Sequence, residues 1–336
     1  MPESLGVKKV LVTGASGKIG RNLIPALLGA GYSVRATQNR TPVEADGVEV
    51  MRGSVSDWDF VREAVAGGGG GGGVDAICHL ATTKEDRNFI DVSVRGTFNL
   101  LDAAKESGGV KQFILAGGDA ALGIFFYENP EPLTEESPLR AYPGYYAFSK
   151  VLEEVMTGQY AIQYSLGVTV MRCSWIMADD DLLSHMTLAP PDFGGPAWKE
   201  LASSPEQRAF FDEGRDGAGV LRHPDGSAYV RHVVAIEDVV GSMMAALDSP
   251  AAVGETFNVA APGAFRYDEL AGYISGKLDI PAVDFECDAG RDFRIDVGKI
   301  GRVLGREPQW TAERMIDAGI EFRRSGSERA AAGYSG

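Results

Sequence analysis

The chain has 336 residues, 44% of them hydrophobic and 24% charged, which supplies a sizeable core without disulfides or metals. A net charge of −15 excludes general nucleic-acid binding, since a phosphate backbone is repelled, but leaves room for a local anion site. Cys78, Cys173 and Cys287 are odd in number and far apart, which argues against a disulfide framework. With no signal-like segment and no 18-residue apolar stretch, the expected setting is the cytoplasm, with no membrane partner.

Lys9–Thr13 reads as a buried strand. Ile19, Leu23, Ala26, Leu27 and Ala30 then mark one face of a helix, with Pro25 inside it at some cost. Further strands are expected at Ser33–Thr37, Val48–Met51, Asp75–Leu80, Gln112–Ala116 and Val168–Met171, with helices over Gly96–Glu106 and Tyr145–Tyr164. This alternation predicts an α/β fold with a doubly wound parallel sheet of Rossmann type, covered on both faces. Asp179–Asp225 is rich in Pro, Gly and acids and has little periodicity, whereas Val230–Ile236 and Thr256–Val259 read as strands and Tyr267–Leu278 as a helix.

The expected organisation is a dinucleotide-binding domain over 1–177, with strands near 230–240 and 256–260 returning to it. A smaller interleaved C-terminal substrate lobe covers 178–229 and 261–322, and 323–336 forms a flexible tail. Seven consecutive glycines, Gly67–Gly73, read as a flexible loop away from the active site rather than a phosphate loop, because functional glycine loops mix in ligand residues.

Thr13-Gly14-Ala15-Ser16-Gly17-Lys18-Ile19-Gly20 lies between the first strand and the first helix. There Gly14 permits a tight turn, Gly17 lets the backbone approach a pyrophosphate at a helix N-terminus, and Gly20 permits close packing. Ser16, Lys18 and Ile19 fall in the same cofactor-binding segment. At the end of the second strand, where an acid would favour NAD, stand Gln38-Asn39-Arg40. Gln38 and Arg40 are therefore cofactor candidates, and the choice between NAD and NADP leans to NADP. Tyr146 and Lys150 lie one helical turn apart, after a helix break at Pro143-Gly144. A nearby ammonium and a cationic nicotinamide bring a phenol, with an ordinary pKa of about 10, into range for acid-base work.

These motifs resemble the extended short-chain dehydrogenase/reductase family, the NAD-dependent epimerase/dehydratase group, from about Lys8 to about Pro308. They continue with His79-Leu80-Ala81, Gly96-Thr97-Phe98-Asn99-Leu100-Leu101, Arg231 before Glu237-Asp238-Val239, Gly254–Val259 and Lys299–Pro308. The resemblance implies a homodimer and a small-molecule substrate. It also implies Tyr146 as acid/base, Lys150 on the nicotinamide ribose, and Leu80, Ala81, Ser54 and Val55 around the cofactor. Arg231 either holds a substrate phosphate or pairs with the neighbouring acids, and Trp175 either shapes the substrate pocket or packs in the core.

The departures are informative. Gly118 stands where the family carries a catalytic Ser or Thr, and Ala120 stands where sugar dehydratases carry a glutamate. Asp119 between them is either a substitute polar contact or a turn former, the latter favoured. Ser93 replaces an asparagine and Ser54 an aspartate that meets adenine. No metal is expected: Asp179-Asp180-Asp181 with His185 reads as a solvated loop, because three consecutive acids cannot converge on one ion. Cys78-His79 reads as core packing near the cofactor, and His223 and His232 are too isolated to assign.

The leading expectation is an NAD(P)-dependent oxidoreductase acting on a sugar-like alcohol or ketone. A redox-neutral nucleotide-sugar epimerase is the alternative, and a dinucleotide-sensing regulator without catalysis the weakest reading.

Overall fold

The structure, a computed structural model, describes residues 4–67, 72–83, 88–129, 131–191 and 193–328. In chain order the first half runs β1 (Lys9–Thr13), α1 (Lys18–Gly29), β2 (Ser33–Gln38), β3 (Val48–Arg52), α2 (Trp58–Ala66) and β4 (Ala76–His79). A π-helical turn (Ile90–Arg95) leads into α3 (Gly96–Ser107), then β5 (Gln112–Gly118), a 3-10 turn (Asp119–Leu122), α4 (Tyr145–Tyr164) and β6 (Val168–Cys173). The second half holds β7 (Trp175–Met177), α5 (Asp181–Met186), α6 (Trp198–Leu201), α7 (Pro205–Asp212), β8 (Ala218–Arg222), β9 (Val230–Arg231) and β10 (Val233–Ala235). It ends with α8 (Ile236–Ala246), β11 (Glu255–Val259), β12 (Phe265–Arg266), α9 (Tyr267–Leu278), β13 (Ala282–Glu286), α10 (Gly298–Leu304) and α11 (Ala312–Arg324).

Seven strands form one parallel sheet in the order β11-β6-β5-β4-β1-β2-β3. Both faces are covered, which is why β5 and β6 are buried along their whole length instead of alternating in and out. Leu23, Ile24 and Leu27 of α1 pack with Val239 and Met243 of α8 on one face. Val61 and Val65 of α2, Leu100 and Leu101 of α3 and Tyr160 of α4 belong to the core of the other. A separate core around Trp198, Phe210, Leu270, Phe285 and Ile316 holds the smaller lobe. Pro25 is accommodated inside α1, as its lost N–H costs one helix bond rather than the element.

Three expectations are corrected. Of the strands read as returning to the main sheet, only β11 joins it, beside β6. Because β11 takes that edge, β10 pairs instead with β7, and β9 pairs antiparallel with β12. The polar tail begins later than Arg323: α11 continues to Arg324, and Arg323 Nε donates to buried Asp180 Oδ2 at 2.7 Å. Asp179–Asp181 is not a solvated loop. Asp180 and Asp181 are buried, each facing a cation, so the acids serve lobe attachment. The glycine run lies partly outside the described residues, at 68–71.

Candidate active site

The turn after β1 is shaped by what its glycines exclude. Gly14 has φ +63°, and a Cβ there would come within 2.7 Å of the Leu80–Ala81 backbone. A Cβ at Gly20 would lie 2.5 Å from the Ala15 carbonyl oxygen. Gly17 caps α1 with no side-chain acceptor, so the first N–H groups of this 12-residue helix are not satisfied by a capping side chain. An uncapped helix start against a close-packed backbone fits an anionic pyrophosphate.

Beneath this turn a polar chain fixes β1 to β4. The Thr13 hydroxyl accepts from the N–H groups of Leu80 and Ala81 and donates to His79 Nδ1 at 2.7 Å. His79 Nε2 then donates to Thr97 Oγ1 at 2.9 Å, and Thr97 donates to the Ser93 carbonyl. Burial pushes His79 down to about 3, so it stays neutral and structural. Lys18, in the cofactor segment, turns its ammonium onto Asp181 Oδ2 at 2.5 Å and the Ile176 carbonyl at 3.0 Å, tying the turn to the lobe. Burial lowers its pKa against the pull of Asp181. At the end of β2, Gln38 Oε1 accepts from the Val43 N–H, and Arg40 is exposed. Ser54 Oγ accepts from the Ser56 N–H, while Val55 is buried.

A cavity of about 660 Å³ opens between the carboxyl ends of the strands and the smaller lobe. It brings together Ile19, Leu80, Tyr146, Lys150, Asp119 and Arg231, which come from five separate segments. Tyr146 and Lys150 occupy the first turns of α4 behind Gly144, whose φ is +140°. Lys150 Nζ donates to the Ala116 carbonyl at 3.1 Å and to Glu153 Oε2 at 2.9 Å, and lies 5.7 Å from the centre of the Tyr146 ring. A Cβ added to Gly118 would sit 3.8 Å from the Tyr146 hydroxyl and 3.8 Å from Lys150 Cγ and Cδ. A hydroxyl-bearing residue therefore has room there, and glycine leaves that space open.

Next to this gap, Asp119 opens the 3-10 turn and buries its side chain. Ser174 Oγ lies 2.8 Å from Asp119 Oδ2 and also 2.8 Å from the His232 carbonyl. A serine hydroxyl has one hydrogen, and a carbonyl can only accept. Both contacts are satisfied when Asp119 carries a proton and donates to Ser174, which donates to His232. Burial raises Asp119 to about 7, against weaker opposing hydrogen bonds from Ser174 and Ala120, which places the protonated form within the neutral range.

On the lobe side, Arg231 Nη1 donates to the carbonyls of Val230 and Arg291, both at 3.0 Å. Its guanidinium lies over the rings of Tyr229 (4.7 Å) and Phe125 (4.9 Å). Its nearest acid is Asp292 at 3.9 Å, whereas Asp238 is taken by Arg306 and the N–H groups of Gln309 and Trp310. Arg231 therefore does not pair with the adjacent acids. Trp175 stacks on Phe193 at 5.5 Å and meets His185 edge-on at 4.9 Å, both on the cavity wall. Sequence reading missed Glu153, Ser174 and the wall role of His232. None sits in a motif, and the partners of Ser174 and His232 are distant in the chain.

Residues 10–187 match the NAD dependent epimerase/dehydratase family. A UDP-glucose 4-epimerase of Mycolicibacterium smegmatis is 27% identical over 95% of this chain and 100% of its own length. A dTDP-glucose 4,6-dehydratase of Streptomyces griseus is 27% identical over 89% of each. Among solved structures, a short-chain dehydrogenase/reductase superfamily protein of Agrobacterium tumefaciens with bound NAD superposes with a TM-score of 0.78. It is 25% identical, with 95% of this chain and 98% of that one covered. The UDP-glucose 4-epimerase of Thermotoga maritima, at 20% identity and a TM-score of 0.70 over 95% and 99%, shares the fold. With the glycine turn, the seven-stranded parallel sheet and this family match in agreement, the chain belongs to the NAD-dependent epimerase/dehydratase family of extended short-chain dehydrogenases.

Proposed function

We propose that the chain interconverts an alcohol and a ketone on a sugar-like substrate, using NAD or NADP. The reading is carried by one observation: the Tyr146 hydroxyl and Lys150 meet the open space at Gly118 on the wall of a cavity that also reaches the α1 turn. A nicotinamide dinucleotide bound there would supply or accept the hydride. Gly14, Ser16, Gly17 and Ile19 would hold its pyrophosphate through the N-terminus of α1, with Gln38, Arg40, Ser54, Val55, Leu80 and Ala81 about the adenosine and nicotinamide ends. Tyr146 exchanges a proton with the reacting oxygen, and Lys150 positions the ribose and the phenol. Asp119, its side chain engaged by Ser174, lines the wall next to the empty hydroxyl position, and Arg231 and Trp175 hold the body of the substrate.

The likeness to curated enzymes of nucleotide sugars over nearly the whole chain favours a carbohydrate substrate. It also supports a second reading, a redox-neutral epimerase that keeps its cofactor. Arg40, with no acid at the end of β2, is what leans the choice towards NADP. A second copy of the chain completes the assembly. Tyr145, Phe148, Val155 and Ile162 are exposed along one stripe of α4, with exposed Phe98 on neighbouring α3.

Mass spectrometry of small molecules released by denaturing the purified protein tests the cofactor. Stoichiometric retained dinucleotide favours the epimerase, reversible binding favours the dehydrogenase, and failure to bind either dinucleotide ends both readings. Turnover with a panel of ketoses, sugar lactones and nucleotide sugars should fall at least about 100-fold in Tyr146→Phe. Full activity in that variant refutes the mechanism.

A further inference from the structure

Nothing about the backbone asks for glycine at position 118. Its φ of −157° is extended, a conformation any residue adopts, and an added Cβ would meet nothing closer than 3.8 Å. Glycine there relieves neither strain nor a clash; it leaves space in the cavity. A larger hydroxyl-bearing side chain from a neighbouring segment can use that space.

Among the described residues, five hydroxyl-bearing side chains line the cavity: Thr82, Tyr142, Tyr146, Ser174 and Tyr267. Tyr146 is the acid/base of the reading above. Ser174 is held by Asp119 and the His232 carbonyl, and the Tyr267 hydroxyl lies 2.6 Å from His185 Nε2. Thr82 follows the Leu80–Ala81 stretch that packs on the cofactor turn, and its Oγ1 lies 3.3 Å from Ser93 Oγ. The Tyr142 hydroxyl makes no hydrogen bond among the described residues.

The segment carrying Tyr142 is fixed beside Gly118. The 3-10 turn that starts at Asp119 accepts the Arg140 N–H at its Ala121 carbonyl, at 2.9 Å. Just past that turn, a Cβ on Gly123 would collide with the Arg140 carbonyl, so the two segments run in close contact. The Tyr142 ring packs against the core of Leu122, Ile124 and Phe293, which anchors it half-buried on the cavity wall. Burial, with a smaller contribution from nearby Asp119, pushes the phenol up to about 12. It therefore keeps its proton near neutrality and is suited to donating a hydrogen bond, not to exchanging a proton.

We propose that Tyr142 is a second catalytic phenol, whose O–H donates to the reacting oxygen of the substrate in place of the hydroxyl missing at Gly118. Tyr146 gives or takes the proton, while Tyr142 retains its own and stabilises the negative charge that develops on that oxygen. This inference rests on the hydride-transfer reading of the site.

Two donors bonded to one oxygen cannot lie more than about 6.5 Å apart. A crystal structure of the full-length protein with NAD should place the Tyr142 and Tyr146 hydroxyls within that limit, and a larger separation overturns the proposal whatever the substrate. Tyr142→Phe removes only a hydroxyl without a protein partner, so it should fold and bind NAD as the wild type does. On any of the ketoses, sugar lactones or nucleotide sugars that turn over, its kcat should fall at least about 10-fold. Adding Gly118→Ser to Tyr142→Phe should recover at least about threefold of that loss, because the serine hydroxyl enters the same space. A smaller fall in Tyr142→Phe overturns the proposal, as does a double variant no faster than Tyr142→Phe. Failure of the wild-type protein to bind NAD or NADP, or full activity in Tyr146→Phe, refutes the hydride-transfer reading itself. An unmoved rate in Tyr142→Phe alongside an inactive Tyr146→Phe refutes only the role of Tyr142.

Discussion

Asp119→Asn isolates the consequence of burying a carboxyl beside the open position at Gly118. The folded-state value for Asp119 is raised from 3.8 to about 7, chiefly by burial. The folded protein therefore holds this proton through a pH range in which the unfolded chain has released it. Stability from this group is fully present below about pH 4 and is lost as the pH rises through about 7, at ~1.4 kcal/mol per unit. Between pH 5 and pH 8 the loss amounts to about 2–3 kcal/mol.

Asparagine is close in shape, cannot ionise, and can donate its amide N–H to Ser174 as the protonated acid does. The variant should therefore escape the loss. Urea-unfolding midpoints measured every half unit from pH 5 to pH 8 read the difference, because the other titrating groups are common to both proteins. Asp119→Asn should gain on the wild type as the pH rises, with most of the gain complete by about pH 7.5. Parallel curves, differing by a constant within about 0.5 kcal/mol, would show that Asp119 is ionised in the folded protein and would refute the hydrogen count around Ser174.

Gly118→Ser should fold, since its Cβ meets neighbours only at 3.8 Å and its backbone is extended; stability is expected to hold or rise by up to about 1 kcal/mol. Its hydroxyl should reach the reacting oxygen and raise kcat/KM on whichever ketone the wild type accepts, so a large fall in melting temperature or in kcat/KM refutes the open-space reading. Ile162→Glu, on a side chain 77% exposed, should leave the monomer folded by circular dichroism but shift light-scattering mass from dimer to monomer. A wild-type protein that is monomeric at all concentrations refutes the proposed pairing through α3 and α4.

Local and periodic features were legible in the chain alone. The alternation of apolar runs and helical patterns is dictated by burial of a parallel sheet on both faces, and it read out as β1 to β6 with α1, α3 and α4 within a residue or two. The glycine turn is similarly local. Gly14 must adopt a positive φ and leave room for a neighbouring backbone, a demand only glycine meets, so residue type and position suffice. Tyr146 and Lys150 follow from helical spacing.

The electrostatic identity of the site was decided only by tertiary structure. Asp181 reaches Lys18 across 163 positions, and Arg323 reaches Asp180 across 143, which turned an apparent solvated loop and tail into the joint between lobe and nucleotide turn. Ser174 and Asp119 are 55 residues apart and meet in a hydrogen bond because β5 and β6 lie side by side, with Gly118 opposite Cys173. A residue's protonation state depends on what surrounds it in space, and water is excluded from these groups by segments that pack on them from elsewhere in the chain. Secondary structure and turn chemistry follow from neighbours in sequence, while charge follows from neighbours in the fold.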